Sequence, residues 1–343
     1  MKMILKIVLL FIFIFVTSVV LFFFWGSSGI LKNDELSGIK KLPHKKSEYI
    51  PGISPIRIMT FNCGYFSGMK NNLPGVIPED FYKKNIDNFY EIASVSGAEI
   101  ICLQEIDLDS KRSHYIDQSY YLADKLSFMN HAFAVNWNKK YVPFPYWPPS
   151  ANFGKMVSAQ SIVSKYPILD SKRIVLKRAD NPFYYDRFYL DRLIQDVKIK
   201  LGDNILTILN IHMEAFDRKT REDQSAYVLE YYKKNYKNRG PVIILGDFNC
   251  VPPDAIKKTG FSDEPETNYI NEKTIELFHK EESLSEAYPD NNRNECTFPS
   301  LKPDRKLDYI FFTDEYIEFI KAAVYRTNSS DHLPVIMEFI LKK

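Results

Sequence analysis

"VIILGDFNCVP", residues 242–252, sets four aliphatic residues directly against a glycine, an aspartate and, two positions on, an asparagine. A short, wholly apolar run of this kind reads as a strand buried on both faces. In an extended chain Asp247 and Asn249 share one side, so both point the same way from the strand's end. The arrangement recurs along the chain. "IRIMTF" runs into Asn62, "IICLQ" into Glu105 and "LTILNI" into His212, while Asp308 heads "DYIFF" and Asp331–His332 precede "LPVIMEF". Singly, an Asp or Asn at a strand end is usually a turn former, and a lone histidine is usually a satisfied surface or core residue. Together they differ, because edges of neighbouring strands lie side by side and bring their polar ends into one pocket. The set holds carboxylates, amides and two histidines, with no Ser or Cys in a nucleophile elbow. That inventory suits a hard divalent cation combined with acid–base chemistry.

Six motifs, "TFNCG", "LQEID", "NIHME", "GDFNCVP", "LDYIFFT" and "SSDHLPV", occur in the order found in the endonuclease/exonuclease/phosphatase superfamily, which the chain resembles over roughly residues 56–341. That superfamily includes DNase I-like nucleases, sphingomyelinases and inositol-phosphate phosphatases. The resemblance implies an α/β fold: a four-layer α/β/β/α sandwich of two mainly antiparallel sheets. It also implies roles. Glu105 would be the principal ligand of Mg²⁺ (or Mn²⁺), assisted by Asn62 and Asp331. His332 would stand at the scissile phosphate, oriented by Asp308. Asp247 would orient the attacking water, Asn249 would hold a phosphate oxygen, and His212 would donate to the phosphate or leaving group. In "GKMVSAQSIVSKYPI", Gln160 and Lys165 depart from the Asn and Arg common in the family. Arg112 is a candidate phosphate contact, with a solvated loop charge as the competing reading.

The N-terminus is different in kind. "IVLLFIFIFVTSVVLFFFW", residues 7–25, carries no charge and no proline. At ~1.5 Å per residue it just reaches across a ~30 Å hydrocarbon layer, with Trp25 at the interface. A cleavable signal peptide is the alternative, but the apolar run is long and "FFFWGSSG" is a poor cleavage site. The expectation is an uncleaved single-pass anchor over residues 1–27, with the rest of the chain outside the cytoplasm. Residues 28–52 read as a polar linker, and residues 53–343 as one catalytic domain. Net charge is +4 over residues 1–50 and −2 over the remainder. A near-neutral catalytic portion lacks the basic field that tracks a nucleic-acid backbone.

Two further stretches are rich in rings: "KKYVPFPYWPPSANFGKM" (139–156) and "NPFYYDRFYLDR" (181–192). Beside an anchor, Tyr146 and Trp147 are candidates for contact with headgroups; the alternative is a proline-stiffened loop packed on the domain. The expected partners are therefore the lipid bilayer and a phosphodiester substrate derived from it. A DNase I-like endonuclease is the runner-up. A non-catalytic membrane-tethered binding module comes last, since it has no need of the full polar set.

Overall fold

The computed structural model describes residues 2–42, 55–71, 73, 75–288, 292 and 295–342. Its first half forms α1 (Lys2–Ser27), β1 (Ser37–Lys41), β2 (Ile56–Asn62), α2 (Glu79–Ser96), β3 (Ile100–Asp107), α3 (Gln118–Lys125), β4 (Asn130–Val142), β5 (Gly154–Ser164) and β6 (Ile168–Val175). Then follow α4 (Phe183–Asp186), β7 (Leu193–Leu201), β8 (Asn204–His212), α5 (Arg218–Asn235), β9 (Val242–Asp247), α6 (Thr274–His279), β10 (Ser285–Glu286), β11 (Asp308–Phe312), β12 (Ile317–Val324) and β13 (Val335–Leu341).

The strands make two sheets, one ordered β1-β4-β5-β3-β2-β13-β12 and the other β10-β11-β9-β8-β7-β6. Among the strands of the described residues, only β2 with β3 and β8 with β9 pair in parallel. Alternation along β2 shows why it carries apolar residues on both faces. Ile56 and Ile58 enter the core between the sheets, where they join Ile100, Val197, Ile243 and Ile310. Met59 and Phe61 face the other way, and Phe61 stacks on Phe89 of α2 at 4.4 Å. On the second sheet Leu209, Ile244 and Phe248 pack against Val228 and Tyr232 of α5 and Phe278 of α6. Helices thus cover the outer face of each sheet, giving the α/β/β/α layering the motifs led one to expect.

The parallel pairs position the site. Their carboxyl ends share one edge of the sandwich, and the register sets His212 opposite Asp247 and Asp247 opposite Asp308. Gly246 makes the close approach of β8 and β9 feasible. Its φ is 141°, and a Cβ there would lie 1.9 Å from the Ile211 carbonyl oxygen. No other residue fits that position.

Two elements differ from the sequence reading. The expected linker is in part an edge strand: β1 pairs antiparallel with β4 from Ser37↔Ala134 to Lys41↔Asn130. The physical reason is the otherwise open edge of β4, whose backbone groups need partners; "SGIKK" has no alternation of its own to announce a strand. Residues 43–52 of that expected linker lie outside the described residues. Finally, α1 is long and apolar enough to cross a membrane, yet its last turn is docked. Phe22 meets Tyr141 and Phe23 meets Phe188 with ring centroids 5.5 and 5.4 Å apart. Lys139 Nζ donates to the Ser27 carbonyl, and Asn138 accepts from the Ile30 N–H at 2.8 Å.

Candidate active site

His332 Nδ1 lies 2.9 Å from Asp308 Oδ2, which also accepts from Thr297 Oγ1 at 2.6 Å. The imidazole packs on Phe298, with centroids 4.6 Å apart, and its Nε2 faces Asp247 Oδ2 at 3.7 Å. The same Asp247 oxygen accepts from Asn62 Nδ2 at 2.8 Å. The other Asp247 oxygen accepts from the Asn249 N–H at 2.8 Å. Asn249 adopts a left-handed φ of 50° and donates Nδ2 to the Met213 carbonyl. All of Asn62, Asp247, Asp308 and His332 are buried. One step further down the strands, Gln104 of β3 donates to Asn210 of β8 at 2.6 Å, and Asn210 donates to Gln195 of β7 at 3.0 Å. These amides tie the two sheets together directly below the site.

Burial raises the Asp247 carboxyl above its ordinary value, against the pull of His332. Burial alone would lower the His332 imidazole, but the Asp308 and Asp247 carboxylates outweigh it and raise it. His332 is therefore held as an imidazolium and Asp247 is the group with spare basicity. His212 goes the other way: burial, Arg192 and His332 all press it towards the neutral form.

The carboxylates of Glu105 and Asp331 converge on one amide. Asn71 Nδ2 donates to Glu105 Oε2 at 3.0 Å and to Asp331 Oδ2 at 3.2 Å. Glu105 reaches this point through strain, with a φ of 49° at a register shift between Leu103 and Ile106. Such a bulge re-aims a side chain out of the sheet plane. Burial and the Asp331 charge both raise the Glu105 carboxyl, so a positive charge between the two acids would relieve the site. An all-oxygen donor pair of this kind fits Mg²⁺ or Mn²⁺. Asn62, expected as a further ligand, has both ends engaged: its Oδ1 accepts from the Gly64 N–H at 3.1 Å while its Nδ2 holds Asp247. Asp247, Asp308 and His332 also bring ligand atoms within 4.8 Å of one another. His332 Nδ1 and Asp308 Oδ2 already hold each other in that group, an arrangement suited to proton chemistry.

Two side chains escaped the sequence reading. Arg192 Nη1 donates to His212 Nε2 at 2.6 Å. Because a guanidinium only donates, that ring nitrogen is the acceptor, and in this arrangement Arg192, not His212, is the cation of the pair in the cavity lining. Arg192 is buried, and its Nε has no hydrogen-bond partner among the described residues. Its one sequence signal was position, directly before β7 and one residue away from the Leu193↔His212 pair. Asn71 lies in a loop without periodicity and gave no signal.

Arg112 does not join the set. It forms a bidentate pair with buried Asp107, at 2.9 and 3.0 Å, and its guanidinium lies 3.2 Å from the centre of the Tyr65 ring. Both candidate roles from the sequence give way to a structural one, since Asp107 would otherwise be a lone buried charge. Above the polar floor, a cavity of about 580 Å³ is walled by aromatic side chains, Tyr146 among them. Trp147 is exposed beside it and is not among the residues lining the cavity.

A sequence profile described as the Endonuclease/Exonuclease/phosphatase family matches residues 59–332. Among curated proteins, no sequence matches the chain. Solved structures with the same fold include an endonuclease/exonuclease/phosphatase from Beutenbergia cavernae (TM-score 0.60, 18% identity, 84% of this chain and 72% of that one). The human Nocturnin catalytic domain, solved with a bound sulfate anion, is similar at TM-score 0.57 and 16% identity over 91% of this chain and 100% of its own. A mannosyl-6-phosphatase of Bacteroides thetaiotaomicron is similar at TM-score 0.52 and 16% identity, covering 83% and 99%.

Proposed function

This chain belongs to the endonuclease/exonuclease/phosphatase family of phosphoester hydrolases, and from that premise we propose that it is a membrane-tethered, divalent-cation-dependent phosphodiesterase acting on a phospholipid or a related phosphorylated headgroup. One observation carries the reading: a single cavity is lined by Glu105, Asp247 and His332 at its floor and by Phe144, Tyr146 and Phe188 on its walls. An ester with a charged phosphate and an apolar body matches both surfaces. A polyanion needs a basic track, and residues 51–343 carry a net charge of −2.

Glu105 and Asp331 would hold the cation, which supplies charge to offset what builds on the non-bridging phosphate oxygens. Asp247, raised by burial and fixed by Asn62, orients a water and takes its proton as the water oxygen bonds to phosphorus. His332, kept cationic by Asp308, donates a hydrogen bond to the phosphoryl group as the bond to the leaving oxygen breaks, and that oxygen takes up a proton from solvent water to depart as the alcohol. Arg192 adds a second fixed positive charge. Asn249 stands beside Asp247 as a further donor to a phosphate oxygen.

The test is a substrate panel with the full-length chain reconstituted in vesicles containing Mg²⁺. Equal parts of phosphatidylcholine, phosphatidylethanolamine, phosphatidylglycerol and phosphatidylinositol are compared with plasmid DNA and a sugar 6-phosphate. Release of a phosphorylated headgroup faster than either soluble reaction supports the reading. Rapid plasmid nicking without lipid turnover transfers the case to the nuclease, and hydrolysis of the monoester alone makes the chain a phosphatase.

A further inference from the structure

A tether needs no contact with the domain it carries, yet the last turns of α1 are part of the catalytic cavity. Val19, Phe22 and Phe23 line it together with Glu105, Asp247 and His332. The placement is held on several sides. Phe23 meets Phe183 and Phe188 with centroids 5.8 and 5.4 Å apart, and Trp25 meets Tyr141 at 6.5 Å. Gly26 is buried, and a Cβ on it would stand 3.2 Å from the Tyr141 carbonyl oxygen. Next, Lys140 N–H donates to the Ser28 carbonyl at 2.9 Å, and Asn138 Nδ2 donates to the Leu31 carbonyl at 3.0 Å. Between Ser27 and Leu31 the chain is pinned to β4.

Membrane geometry then locates the opening. With Trp25 at the interface, Val19 lies about 9 Å further along the helix axis, towards the hydrocarbon. A cavity that reaches Val19 therefore opens at the level of the headgroups and the first carbons of the acyl chains. The segments around that opening carry exposed rings: Tyr146 is 72% exposed, Tyr184 59% and Phe216 80%. An exposed apolar collar around a pocket mouth, continuous with an apolar helix, marks a surface that meets lipid.

We infer that the C-terminal turns of α1 form one wall of the substrate site, and that a lipid reaches Glu105, Asp247 and His332 sideways from the bilayer, its acyl chains kept against Val19, Phe22 and Phe23. The inference rests on the phosphodiesterase reading and makes its substrate an amphiphile resident in the membrane. It also makes the helix a specificity element, so slack between helix and domain is not tolerated.

Three full-length chains in the four-lipid vesicles described above decide it: the parent, Phe22→Ala/Phe23→Ala, and a chain with about ten Gly/Ser residues inserted between Ser28 and Gly29. Each is assayed for headgroup release and for cleavage of soluble bis(p-nitrophenyl) phosphate. Expected is at least a tenfold fall in the ratio of lipid to soluble turnover in both altered chains. The inserted chain keeps its soluble turnover within about twofold, which also shows that its domain is folded. A ratio within about twofold of the parent in either altered chain overturns the inference, because a wall tolerates neither truncation nor displacement. Cleavage of the soluble diester by the parent with no lipid turnover sinks the lipid substrate itself, independently of what α1 does.

Discussion

The floor of the cavity and its mouth are built in opposite ways. On the floor each polar group is fixed by another: Asn62 holds Asp247, Asp308 holds His332, and Thr297 holds Asp308. At the mouth, Tyr146, Trp147 and Phe216 stand exposed with few fixed partners. Charge stabilisation requires donors and acceptors already in place, since any reorganisation adds to the barrier. Recognition of an apolar body has no such demand, because burial of nonpolar area has no direction. On the proposed reading, the chemistry resides in the sheet ends and the choice of substrate in the loops and helix above them.

The comparison yields graded effects. The largest belongs to the cation proposed between Glu105 and Asp331. Excess EDTA should abolish hydrolysis of lipid and soluble diester alike, and added Mg²⁺ or Mn²⁺ should restore both. Activity that survives chelation removes the metal from the floor. Next come the fixed proton groups. His332→Ala should cost on the order of 10³-fold in kcat, and Asp308→Ala should act through the same unit, so the double variant should be little worse than the worse single one. Losses that multiply fully would separate the two residues.

Arg192→Met should lower kcat by roughly 10²-fold on both substrate types, as loss of one oxyanion donor does, and should restore a free Nε2 to His212. An effect confined to lipid would move Arg192 from the floor to the mouth. Arg112 tests the boundary between them. Arg112→Met strands Asp107, which is fully buried, and should cost about 3–5 kcal/mol in urea denaturation while kcat of the folded enzyme changes little. Unchanged stability with a collapsed kcat would return Arg112 to the phosphate.

The smallest effects belong to the rim. Tyr146→Ala should reduce vesicle turnover by a few-fold and leave the soluble diester unaffected, whereas Trp147→Ala, at a residue outside the cavity lining, should do less. If Trp147 proves the more sensitive of the two, the mouth extends further over the membrane than the cavity itself.

Local chemistry made much of this legible from the residues alone. Alternation and continuous apolar runs show which strands are buried, and a polar residue at a strand's end announces itself against that background; hence Glu105, His212, Asp247, Asp308 and His332 all emerged. Which of them meet, and through what, is a matter of register between distant segments. Asn62 and Asp247 are 185 residues apart, and Asn71 and Thr297 come from loops that carry no periodic signal. Arg112 illustrates the limit well, for nothing in "DSKRSH" distinguishes an arginine that meets phosphate from one that neutralises Asp107. Strand β1 exists because β4 offers an open edge, and an edge cannot be read from "SGIKK". The docked turn of α1 was hidden for the opposite reason. A helix apolar on every side has no face to mark which part meets lipid and which meets protein, so only the packing of Tyr141 and Phe188 against it could decide.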